Sequence, residues 1–101
     1  MEEKMEGYSA ILDDNIKAHG VNEETVIAME ECAELIQAIS KVRRYGCIGK
    51  YRDNLIEEMA DVDIILTELM IMFDITDEKA FYDVIDKKIQ RLRKRLEKGS
   101  E

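Results

Sequence analysis

A chain of 101 residues with no proline and only five glycines has little to interrupt a helix. Its apolar residues recur every three or four positions, the period of an amphipathic helix, and no stretch alternates as a strand would. The expected fold is therefore all-α. Four helices follow from the punctuation. The first runs from about residue 3 to 18 with Tyr8, Leu12 and Ile16 inward, and Gly20 after His19 is a suitable left-handed stop. Asn22 is expected to cap the second, with Glu23 and Glu24 in its first turn and Val21 and Val26 spaced as a hydrophobic staple. That helix reaches Tyr45 and ends at Gly46. Residues 46–53 read as a loop before Asn54, which resembles a capping box with Glu57, and the third helix continues to about Phe73. Thr76 or Asp77 caps the fourth, which continues to about Lys98.

Helices of this length joined by short loops favour an antiparallel, up-and-down four-helix bundle forming one domain over residues 1–101. The third helix is apolar over a wide arc that includes Ile56, Met59, Ile64 and Met70 beyond the central stripe. A single copy has no need to bury so much, so a homodimer or homotetramer is expected.

Two helices carry carboxylates where they should be oily. Glu31 and Glu34 lie in VIAMEECAELIQAI, and Glu58 and Asp61 in NLIEEMADVDIILTELM. Spacing alone proves little in a chain with 23 Asp and Glu, since Glu3/Glu6, Asp74/Asp77 and Asp83/Asp86 share it. The face distinguishes them. Counted at about 100° per residue, Glu58 falls on the midline of the arc set by Leu55, Val62, Ile65, Leu66, Leu69, Met72 and Phe73, and Asp61 lies about 60° to one side. Glu31 falls within the stripe of Ala28, Cys32, Leu35, Ile39 and Val42, with Glu34 at its edge. Inward carboxylates are costly unless something cationic compensates them. Hard divalent cations with oxygen ligands are the natural answer, Mg²⁺ above all, because it is commonly held by carboxylates together with substrate phosphates. The alternative is a wet groove, or pairing with the basic side chains of a neighbouring helix.

The net charge of −8 and a pI near 4.7 argue against general nucleic-acid binding. MEEKMEG lacks the pattern of a secretory signal, and no apolar run reaches membrane-spanning length. Cys32 and Cys47 have neither metal nor redox spacing, so a reducing, cytoplasmic setting is expected. The tail departs from the acidic average. Lys87, Lys88, Arg91, Arg93, Lys94, Arg95 and Lys98 stand there against Glu97 alone. A solvated basic helix end accounts for most of these. Lys88 falls within the apolar arc of Phe81, Val84, Ile85, Leu92 and Leu96, where it is placed to meet an anion.

The segments EECAEL (30–35) and EEMADVDI (57–64) resemble the two acidic motifs of the all-α nucleoside triphosphate pyrophosphohydrolases, the MazG-like superfamily, over about residues 20–98. The resemblance implies Mg²⁺-dependent cleavage between the α- and β-phosphates of a nucleotide, giving a monophosphate and pyrophosphate, with Mn²⁺ as a substitute metal. It assigns Glu31, Glu34, Glu58 and Asp61 as metal ligands and Lys88 with Arg91 as phosphate contacts; Glu34, at the edge of the arc and so nearer water, is placed to be the base that activates water. Because the first helix of such proteins helps form the base pocket, Tyr8, Asn15 and His19 become candidate base contacts. The chain lacks a Lys-x-x-x-Asn-x-x-Lys-Tyr pattern on its last helix and a lysine just before Glu30, so base and sugar stay open. A carboxylate di-iron bundle would want Glu-x-x-His on two helices, and the single histidine has no such spacing. The other class is a non-enzymatic helical homo-oligomeric interaction or nucleotide-binding module, in which the acids pair with the basic last helix.

Overall fold

The structure is a computed structural model in which residues 2–99 are described. Four α-helices account for nearly all of it: α1 (Glu2–His19), α2 (Val21–Tyr45), α3 (Gly49–Met72) and α4 (Glu78–Gly99). No strand occurs among the described residues. The all-α class and the four helices are those expected from the sequence.

The boundaries differ where a glycine or an aromatic ring intervenes. One residue, Gly20, serves both α1 and α2: its N–H donates to the Ile16 carbonyl at 2.7 Å, and its own carbonyl accepts from Glu24 N–H at 3.1 Å. Its φ of 88° is the left-handed value that glycine tolerates. Reversal within one residue leaves no room for a capping side chain, so α2 starts at Val21 and Asn22 lies inside its first turn rather than capping it. The third helix begins at Gly49, five residues before the expected Asn54. The Tyr51 ring stacks on Tyr45 with centroids 4.7 Å apart, and the Tyr51 and Arg52 amides donate to the Ile48 carbonyl. Ring stacking thus adds more than a turn to the helix in a stretch without apolar periodicity. At α4 the capping expectation holds, since Asp77 Oδ1 accepts from Ala80 N–H at 3.3 Å.

The main packing is α2 against α3, with α1 laid across both. The α2–α3 hairpin is antiparallel, as the Tyr45–Tyr51 stack at its turn requires. Ile16, Ala28, Ala38 and Ile65 form the buried apolar centre, and Ala38 is fully enclosed at 0 % exposure. No Cα of α4 lies within 8 Å of another helix among the described residues. Its first turns face α1 and α3 across a cleft of about 740 Å³ that is edged by Asp13, Asp63, Asp74 and Glu78. The radius of gyration of 16.7 Å exceeds the roughly 13 Å of a compact chain of this length. Val84, Ile85, Ile89, Leu92 and Leu96 are exposed on α4 in the single chain.

Candidate metal centre

The antiparallel hairpin brings the two acidic segments together. Position numbers across the seam sum to a constant, so Glu34 meets Glu58 and Glu31 meets Asp61 at neighbouring levels. Glu31, Glu34 and Glu58 each place a carboxylate oxygen within 4.8 Å of the others. Asp61 stands next to them, close enough for its charge to act on both Glu31 and Glu58. Glu30 and Glu57 face solvent.

The electrostatics are those of an uncompensated cluster. Glu31 and Glu58 are half-buried, and one oxygen of each, Oε2, is buried with no hydrogen-bond donor. Desolvation, followed by the charges of Glu34, Asp61 and Glu58, pushes Glu31 up to about 7 from an ordinary 4.5. Glu58 is raised as well, first by desolvation and then by Glu34 and Asp61. Removing carboxylates from water favours their neutral form, and neighbouring like charges add to the effect. Buried oxygens without donors, drawn from two rigid helices, fit a hard divalent cation: such an ion accepts oxygen ligands and needs no proton from them. The residues present therefore suit a metal of the magnesium type.

The other candidates lie elsewhere. Tyr8 is 57 % exposed on α1. Asn15 Nδ2 donates to Glu68 Oε2 at 3.1 Å. His19 Nδ1 lies 2.9 Å from the Asn15 carbonyl and 3.2 Å from Glu24 Oε1, both acceptors, so Nδ1 carries a proton and donates. Lys88 and Arg91 are exposed on α4 and share no helix contact with α2 or α3.

Two acids lie deeper than the sequence suggests: Glu24, expected only as a first-turn acid of α2, and Glu68 are the most buried charged residues among those described, at 3 % and 4 % exposure. The signal was in the register. Glu24 precedes Glu31 by seven residues and Glu68 follows Asp61 by seven, so each continues its helix's inward face two turns on. A row of carboxylates thus follows the seam, and α1 supplies the partners of its inner end.

The match with a family model falls on the elements that build this cluster. A model of the MazG nucleotide pyrophosphohydrolase domain matches residues 21–98, from the first residue of α2 almost to the end of α4, and the chain belongs to that family. It is a nucleotide pyrophosphohydrolase-type domain, with α1 outside the matched span. Comparison with curated proteins and with solved structures finds no match for the chain. No helix among the described residues is long and apolar enough to cross a membrane.

Proposed function

We propose that this protein is a Mg²⁺-dependent nucleoside triphosphate pyrophosphohydrolase that cleaves the α–β phosphate bond of a (d)NTP to give (d)NMP and pyrophosphate, in nucleotide-pool house-cleaning. The observation that carries this reading is the convergence of Glu31, Glu34 and Glu58, with two donorless buried oxygens, across the α2–α3 seam of a chain of this family. Glu31, Glu34, Glu58 and Asp61 hold the metal. When bound, the ion neutralises phosphate charge and makes a water molecule more acidic. Phosphoryl transfer asks the protein mainly for position and charge neutralisation. Two rigid helices joined by a short turn fix the carboxylates from both sides.

Glu34 is exposed at the edge of the seam and takes the proton of the attacking water. The water oxygen forms the new bond to phosphorus, and the α–β bridging bond breaks, its electron pair leaving with pyrophosphate. Tyr8, Asn15 and His19 on α1 serve the base end of the substrate. In this reading α4 packs on a second copy. Its exposed apolar residues and the seven cations of its Lys87–Lys98 stretch complement the acid-edged apolar cleft beside α1 and α3. Lys88 and Arg91 then reach a phosphate from the partner copy, since α4 stands away from its own α2 and α3.

The test is pyrophosphate release from a panel of dNTPs and NTPs with and without Mg²⁺, in the wild type and in Glu58→Gln. Metal-dependent release by the wild type that is lost in the variant is expected. Turnover that ignores the metal, or that survives in Glu58→Gln, would refute the assignment.

A further inference from the structure

The turn of the α2–α3 hairpin has a charge unlike the rest of the molecule. Lys41, Arg43, Arg44, Lys50 and Arg52 fall within twelve residues that contain no acid, in a chain whose net charge is −8. All five are exposed. Two of the cations are seated on rings: Arg44 Cζ lies 5.4 Å from the Tyr45 centroid and Lys50 Nζ 5.3 Å from that of Tyr51, while the two rings stack on each other. Cations over aromatic faces are held in place without losing their charge.

This patch is in register with the metal centre. Lys41 follows Glu34 by seven residues, so it lies about 20° from the same face and about 10 Å along the axis. Tyr51 precedes Glu58 by the same interval. Side chains on a helix lean toward its N-terminus, so Lys41 on α2 leans back toward Glu34 and Glu31. The layer between them is Ala38, whose methyl is wholly enclosed, so the way from Lys41 to Glu34 runs along the exposed edge of the seam on which both lie.

We infer that the hairpin turn is the subsite for the departing diphosphate: Lys41 contacts the β- and γ-phosphates, and Arg44 and Lys50, fixed on the tyrosine pair, supply the surrounding positive field. The inference rests on the pyrophosphohydrolase reading and gives the substrate a direction along the seam, with its phosphate tail toward the turn. Cations placed where charge develops on a leaving group lower the barrier to its departure. A charge-assisted hydrogen bond to phosphate is also among the stronger polar contacts.

Calorimetric titration with inorganic pyrophosphate, with and without Mg²⁺, tests the subsite without requiring turnover. Lys41→Gln is expected to weaken pyrophosphate binding by about tenfold or more and to raise the nucleotide KM by a similar factor. Lys41→Arg restores much of both, and Arg44→Gln/Lys50→Gln gives a smaller loss. Lys17→Gln/Lys79→Gln, on exposed lysines paired locally with Asp13 and Asp83, leaves both constants unchanged and controls for net charge. Lys41 is exposed, so these variants keep the fold, and unchanged thermal unfolding checks it. A Lys41→Gln protein that binds pyrophosphate within twofold of an active wild type overturns the inference and leaves the activity standing. A wild type that hydrolyses no nucleotide overturns the activity and the inference together.

Discussion

Replacing Glu31 by glutamine should stabilise the metal-free protein and weaken its response to magnesium. Glu31 has carboxylate oxygens of Glu34 and Glu58 within 4.8 Å and a buried oxygen that no donor serves. Two unit charges near that separation repel by about 1 kcal/mol even at the dielectric constant of bulk water. The cluster is partly open to solvent, so this screened value is the one to use, and a net gain of about 1 kcal/mol is expected. For a domain of this size that corresponds to a rise in Tm of roughly 4–8 °C. The pH dependence follows from the raised carboxyl. Between 4.5 and about 7 the folded chain keeps a proton on Glu31 that the unfolded chain has released. The stability contributed by this proton is fully present below 4.5 and is lost as pH rises through about 7. The variant's advantage should therefore be largest at pH 8 and close to nil at about pH 3.5, below the ordinary carboxyl value, where Glu31 is neutral in both states. The assay is thermal unfolding followed by circular dichroism, in EDTA and then in excess Mg²⁺, at both pH values. At pH 8 magnesium should raise the wild-type Tm, because a ligand of the folded state stabilises it, and should raise the variant's much less. A lower Tm for Glu31→Gln in EDTA at pH 8, or equal responses to magnesium, would refute the claim that these carboxylates repel one another and converge on an ion.

Three further outcomes are expected. Asn15→Ala removes the amide donor from the buried Glu68 carboxylate and should cost about 1–3 kcal/mol; urea unfolding measures it, and Glu68→Gln in the same chain should recover part of the loss. Ile65→Ala empties a site 4 % exposed in the buried apolar centre and should cost about 2–5 kcal/mol by the same measurement. Leu92→Asp places a charge on the apolar face of α4, and sedimentation should show a shift toward monomer with little change in helicity; an unchanged distribution would remove α4 from the proposed contact.

The helices and the acidic cluster could be read from the chain because both depend on a rotational count along a regular helix. Glu58 on the midline of its apolar arc and Glu31 within its stripe come together across the seam. The start of α3 could not be found that way: Gly49, Lys50 and Tyr51 show no apolar periodicity, and the turn they form is secured by a ring on another helix. Asn22 and Asn54 both look like caps locally. Gly20 makes the first unnecessary, and the Tyr45–Tyr51 stack moves the helix start ahead of the second. The burial of Glu24 and Glu68 does not show in the pattern, because each sits next to other charged or polar residues in sequence and is covered by Asn15 and His19 of α1. The position of α4 is likewise invisible to periodicity, which marks an apolar face without showing what covers it.

Ala38 has a consequence out of proportion to its size. Its single methyl, wholly enclosed between α2 and α3 one turn from Glu34, sets how near the two backbones come and hence the gauge of the opening between the facing acids. Ions differ in the oxygen distances they accept, about 2.0–2.1 Å for Mg²⁺ against about 2.3–2.6 Å for Ca²⁺. A bulkier side chain would act as a wedge in that gap, so a residue that carries no charge and touches no ligand would tune the choice of ion at the proposed centre.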